Sequence, residues 1–152
     1  RRQRQMCIRD SHSPTMFPDL ENTVVGGKNA YESINDHNWV ENEFLPRVQQ
    51  RGAEIIQARG ASSASSAARA ACETVKAVEH PTRSGDVFNA AVMSDGAYGM
   101  PEGIFSGFPL ISDGKGSIEI VRDYSLSDFA KAGLKKTSDE LVAEKNLVKD
   151  LI

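Results

Sequence analysis

The sequence predicts an α+β fold in which long helices accompany a small antiparallel sheet. Two observations carry this. Residues 36–79 show apolar side chains at helical spacing with breakers at Gly60 and Pro81. Residues 87–122 instead hold three short β-rich runs separated by Gly/Asp turns. Segregated helices and neighbouring strands favour α+β over alternating βαβ units.

The elements follow in order. Arg1–Asp10 (RRQRQMCIRD) carries four arginines without a helical or strand period and is set aside from the fold as a basic segment. From Ser11 to Tyr31, prolines at 14 and 18, a Val24-Val25 pair and Gly26-Gly27 predict loops and a hairpin. Asn35 and Asp36 can cap a helix carrying Trp39, Val40, Phe44, Val48, Ile55 and Ile56 and ending near Gly60. Pro46 lacks an amide donor, so this helix should bend about a turn before it. The next helix places Ala64, Ala68, Ala71, Val75 and Val78 on an expected apolar stripe and stops at His80-Pro81. Val87–Met93, Ile104–Ile111 and Ser117–Arg122 form the expected meander. Ser125 with Asp128 resembles a capping box, and Thr137 with Glu140 predicts a second cap and a break near Lys135-Lys136. Leu141, Leu147, Val148 and Leu151 would give the last helix its apolar side.

A chain of 152 residues has room for one domain. Eighteen basic against twenty-one acidic residues, net −3, provide no general attraction to nucleic acid or to an anionic membrane. No apolar run reaches membrane-span length, and no signal-peptide core is present. Cys7 and Cys72 match neither a metal-ligand spacing nor a disulfide framework, so no metal is expected and a reducing, cytoplasmic setting is.

Two features bear on chemistry. The run Gly60-Ala61-Ser62-Ser63 opens a helix with small residues only, which suits either close helix packing or a ligand wall of hydroxyls and amides. His12 stands in a proline-bounded loop, where an imidazole can exchange protons near neutral pH or simply be solvated. His37 and His80 sit at helix ends and have structural explanations. No nucleophile elbow or nucleotide-binding glycine fingerprint occurs, and Asp95 and Glu102 read as turn residues.

Taken together, HSPTMFPD at 12–19, NDHNWVENEFLPRVQQRGAEIIQARGASSASSAA at 35–68 and SDGAYGMPEG at 94–103 resemble the C-terminal half of the malate dehydrogenases in the lactate/malate dehydrogenase family. GFPL at 107–110 and the tail from Asp139 add support. The resemblance implies a C-terminal catalytic domain over residues 11–152, with the Rossmann half absent and residues 1–10 outside the family. It implies interconversion of malate and oxaloacetate with NAD and NADH, His12 acting as proton acceptor and donor. Ser62 would face substrate and nicotinamide, with Gly60 and Ala61 keeping that wall thin. The helix from Asp36 to Arg59 would contribute to a homodimer.

There are also departures from the family pattern. Where the family has Gly-Asn before the histidine, this chain has Asp10-Ser11. The aspartate that orients the histidine, the arginines that clamp the substrate carboxylates and the main NAD-binding domain have no counterparts. The expectation is therefore a fragment, inactive alone, whose first ten residues resemble translated adapter sequence. A non-catalytic α+β interaction module and a dehydrogenase for another 2-hydroxy acid are the alternatives.

Overall fold

A computed structural model describes residues 15–62 and 64–151. The expectations for residues 1–10 and for His12 lie outside the described residues. The chain divides into two compact units, residues 1–68 and 69–152.

In the first unit, strands β1 (Val24–Val25) and β2 (Lys28–Asn29) form the expected hairpin, with Val25 opposite Lys28 across the Gly26-Gly27 turn. A short helix α1 (Ala30–Ile34), which begins inside the expected loop region and runs past its end at Tyr31, follows at once. Its cap explains it: the Asn29 side chain accepts from the Glu32 amide at 3.0 Å and donates to the Glu21 carbonyl. Asn35 then closes α1 in the left-handed region, and Asp36 accepts from the Trp39 amide at 2.9 Å to start the next helix.

That helix leaves regular α-geometry just before the proline. It runs as α2 (His37–Trp39), a π-helical turn (Val40–Phe44) and α3 (Leu45–Arg59). The Leu45 amide reaches back to the Val40 carbonyl, five residues away, immediately before Pro46. The wider turn takes up the misfit that a missing donor would cause in regular α-helix. Val40, Leu45 and Gly52 are buried, whereas Trp39 and Ile56 stay exposed at 37% and 39%.

In the second unit, β3 (Phe88–Met93), β4 (Phe105–Ser112) and β5 (Ile118–Ile120) form the antiparallel meander in the order β3-β4-β5. Phe88 lies opposite Leu110, and Leu110 opposite Ile120. Phe108 and Leu110, exposed by only 2% and 1%, anchor a core with Ala77, Phe88, Ala97, Met100 and Ile104. Burying side chains of this size stabilises the fold by about 1.5–3 kcal/mol each.

Two helices accompany the sheet, and both depart in part from expectation. Helix α4 (Ala64–Glu79) has the expected limits, and Arg69 pairs with Glu73 at 3.0 Å. Its stripe is displaced, however. Ala77 enters the core with Val78 half-buried beside it, while Ala64, Ala68 and Ala71 are exposed and Val75 is 60% exposed. Helix α5 (Asp128–Val148) starts from Ser127, whose extended backbone lets its hydroxyl accept from the Ala130 amide at 3.1 Å, so Ser127 replaces Ser125 as the cap.

The expected break in α5 does not occur. Lys135 and Asp139 pair at 2.8 Å across that point, and the Thr137 hydroxyl bonds the Gly133 carbonyl within the helix. Leu141 and Val142 pack on the core and Ala130 and Ser138 are buried, whereas Leu147 is 84% exposed and Val148 42% exposed, contrary to the apolar side expected there.

Buried Ser112 fastens the end of α4 to β4: its hydroxyl donates to the Val78 carbonyl at 2.6 Å and accepts from Gly114. Gly114 sits against Pro81 at φ +71°, where a Cβ would come within 2.6 Å of the proline nitrogen.

Candidate active site

The small-residue turn joins α3 to α4. Gly60 closes α3 at φ 72°, ψ 5°, its amide donating to the Ile56 carbonyl at 2.8 Å. Ala61 and Ser62 are exposed, and the Ser62 carbonyl accepts from the Ala64 amide at 3.0 Å. Ser63 lies outside the described residues.

The glycine at 60 is required by backbone conformation. A Cβ built there meets no described atom within 4 Å, so the expected close approach is absent among the described residues, while the left-handed φ penalises any other L residue. The turn therefore presents an open ledge with one hydroxyl and no bulky or acidic side chain. Such a ledge fits one edge of a flat ring or an anionic substrate, but alone it clamps nothing.

Residues 12–14 lie outside the described residues, which begin at Thr15. Met16, Phe17 and Pro18 are half-buried, and the Met16 carbonyl accepts a hydrogen bond from Gln49 Nε2 of α3 at 2.9 Å. Asp19 then organises a turn: its carboxylate accepts from the Asn22 amide at 3.0 Å and from Asn22 Nδ2 at 2.7 Å. Sequence reasoning passed over Gln49. Its signature was a polar residue four positions after Leu45 and three before Gly52, on the buried side of α3.

The remaining candidates take the structural roles expected of them. His37 packs on Tyr31, ring centroids 4.5 Å apart, and His80 Nδ1 lies 3.0 Å from the Lys76 carbonyl at the end of α4. Burial chiefly, then the charges of Glu21 and Glu41, raises the Tyr31 phenol above its ordinary range.

Asp95 caps the Ala97 amide at 3.2 Å and pairs with Arg122, while Lys145 donates to the Gly103 carbonyl at 3.0 Å, so SDGAYGMPEG is a braced connection between β3 and β4. Within it, Tyr98 occupies a left-handed conformation at φ 55°, its hydroxyl bonded to the Val121 carbonyl. No cluster of three or more potential metal ligands occurs among the described residues, and none of the described helices is long and apolar enough to cross a membrane.

An α+β chain in which the Met16 segment is tied to a helix that ends in a small-residue ledge is made specific by comparison. Residues 1–152 match the family described as lactate/malate dehydrogenase, alpha/beta C-terminal domain, and the chain belongs to that family. Among individual proteins, it is 48% identical over 147 residues to a malate dehydrogenase of Magnetococcus marinus, covering 97% of this chain and 45% of that protein.

Among solved structures, it is similar to malate dehydrogenase from Naegleria fowleri, with TM-score 0.83 and 38% identity over 93% of this chain and 43% of the other. It is also similar to Trichomonas vaginalis lactate dehydrogenase in complex with NADH and oxamate, with TM-score 0.80 and 27% identity over 90% of this chain and 43% of that one. The chain thus spans about 45% of the length of the curated relative it matches.

Proposed function

We propose that this chain is the catalytic half of an NAD-dependent malate dehydrogenase interconverting malate and oxaloacetate. The observation that carries this reading is the 48% identity to a malate dehydrogenase across nearly the whole chain. His12 takes the proton of the malate C2 hydroxyl as the alcohol becomes a carbonyl, and returns it in the reverse direction. NAD, when bound, supplies the acceptor for the C2 hydride, and NADH the donor in reverse.

Ser62 faces substrate and nicotinamide, with Gly60 and Ala61 forming the ledge beside it. The openness of that ledge supports the assignment. The sequence has no nucleotide-binding glycine fingerprint, so the main NAD contacts come from a Rossmann half outside these residues, along with the substrate-clamping arginines and the aspartate partner of His12. Alone, the chain is inactive.

The enzyme acts in the cytoplasm as a homodimer to which the helix from Asp36 to Arg59 contributes. Trp39, 37% exposed and packed against Phe44 with ring centroids 5.5 Å apart, supports a contact on that helix.

The test is NADH oxidation by the full-length gene product with oxaloacetate against pyruvate. Oxaloacetate should be strongly preferred, and His12→Ala should lower turnover by about two to four orders of magnitude. Failure to oxidise NADH with oxaloacetate, or full turnover in His12→Ala, would sink the assignment.

A further inference from the structure

We propose that the outer edge of β3 is a pairing surface whose occupant is a second copy of this chain, joined strand to strand in antiparallel register. The surface belongs to the second unit alone and is independent of the dehydrogenase reading.

The order β3-β4-β5 leaves β3 and β5 as the two edges of this sheet among the described residues. The edges differ in kind. β5 has three residues and carries Glu119, and shortness and charge both blunt an edge against further pairing. β3 has six residues, Phe88–Met93, with neither a charge nor a proline. It pairs with β4 residue for residue, from Phe88 opposite Leu110 to Met93 opposite Phe105, so no bulge twists it away.

The hydrogen bonds just past β3 fix the direction of its backbone groups. The Ser94 amide donates to the Ile104 carbonyl at 2.7 Å, and the Ser94 carbonyl accepts from the Gly103 amide at 3.0 Å, so both groups of Ser94 face the β4 side. In an antiparallel ladder this direction alternates along the strand. Phe88, Ala90 and Val92 therefore bond β4, while Asn89, Ala91 and Met93 turn their N–H and C=O groups outward. No hydrogen bond among the described residues reaches those outward groups. The Asn89 side chain leans over Gly107 of β4, where a Cβ would meet its Oδ1 at 2.9 Å, and leaves the edge unobstructed.

A row of alternating donors and acceptors is matched by another strand, and this row matches itself. A two-fold axis through Ala91 sets Ala91 opposite Ala91 of the other copy and Asn89 opposite its Met93. In that register every outward group on both strands finds a partner at once. Ala90 then lies opposite Val92 on the inner face, where both are half-buried, and the two three-stranded sheets become one continuous sheet. The residue on the axis is alanine, small enough for two copies to meet there without a clash. Met93, 57% exposed on the outer face, loses exposure beside Asn89 of the other copy. Six residues a side is well below the roughly 20–30 of a standard interface, so the association is weak and concentration-dependent.

Amide-resolved hydrogen exchange in this chain reads the pairing directly. At low concentration Ala90 and Val92 should be protected, while Asn89, Ala91 and Met93 exchange near the rate of an unstructured chain. A rise of roughly a hundredfold in concentration should slow the outward amides by about tenfold or more. Two variants block the edge. Ala91→Lys puts like charges face to face on the axis, and Ala91→Pro removes an outward amide without touching a bond to β4. Each should abolish the slowing at Asn89 and Met93, with protection of Ala90 and Val92 showing that the sheet is intact; where proline fails that check, the lysine variant decides.

Outward amides that stay fast at high concentration, or slowing that survives Ala91→Lys, overturn the proposal. Full protection of the outward amides already at low concentration overturns it too, because a segment of the same chain would then occupy the edge.

Discussion

Replacing Gly60 separates two physical reasons for a glycine at a helix end. At φ +72° an alanine adopts the left-handed region at a cost of about 1–2 kcal/mol, whereas asparagine tolerates that region better. No described atom lies within 4 Å of a Cβ placed there, so sterics add nothing to this cost. Gly60→Ala should therefore destabilise the first unit by about 1–2 kcal/mol, a fall in Tm of roughly 2–8 °C. Gly60→Asn should lose clearly less.

Trp39 belongs to the same unit and packs on Phe44, so its fluorescence reports urea unfolding there. The midpoint should fall while the slope is unchanged. A loss above about 3 kcal/mol for alanine, or an asparagine variant as unstable as the alanine one, would refute the conformational argument and restore close approach as the reason for the glycine.

Gly114 presents the contrasting case. At φ +71° and with Pro81 atoms 2.5–2.6 Å from a Cβ, Gly114→Ala should lose about 3 kcal/mol or more, read by thermal unfolding of the second unit; a loss equal to that at Gly60 would mean Pro81 yields easily. Tyr98 predicts an alkaline limit. Burial chiefly, then Asp123 and Tyr124, raises its pKa above 10.0 against the lowering effects of a backbone hydrogen bond and Arg122. The folded state thus holds that proton more tightly than the unfolded chain. Its contribution is complete below the unfolded value and is lost as pH rises through the folded one. Urea midpoints should drop above about pH 10 in the parent and less steeply in Tyr98→Phe; identical slopes would refute it.

Local chemistry explains which features were legible in the sequence. Pro46 foretold an irregularity before it because a missing amide is a property of one residue, but the sequence reading expected a bend and the structure shows a π-helical turn, a form that depends on how neighbouring turns share the misfit. The Gly26-Gly27 hairpin and the Gly60 stop were readable for the same reason. Caps were less so. Ser125 and Ser127 are both serines before a helix, and only the backbone entering α5 decides that Ser127 turns its hydroxyl to Ala130.

The α4 stripe was misread in part because Ala and Val at helical spacing fit two adjacent faces: the core took the one with Ala77 and, of the expected residues, kept Val78. For the candidate site, His12 and the ledge could be singled out from residue type and the family resemblance. The Gln49 bond to Met16 could not, since pairing across 33 residues is a product of the fold.

The exposed half of α4 shows why the sequence after the ledge is built from alanine and serine. A helix that leaves Ala64, Ala68 and Ala71 open to solvent gains little from packing there, so its first turns depend on intrinsic preference. Alanine has the highest helix propensity and exposes the least apolar surface of any residue that could serve. The pair Arg69–Glu73 adds only a few tenths of a kcal/mol. Leucines at the same positions would stiffen the helix no further in water and would create an apolar patch inviting association. Small residues thus let α4 stay helical while its face is bare, and still admit a flat ligand or a neighbouring backbone close to its axis. Packing and ligand contact make the same demand on residue size here, so side-chain volume along this run does not distinguish them, and the left-handed backbone of Gly60 accounts for that glycine without either.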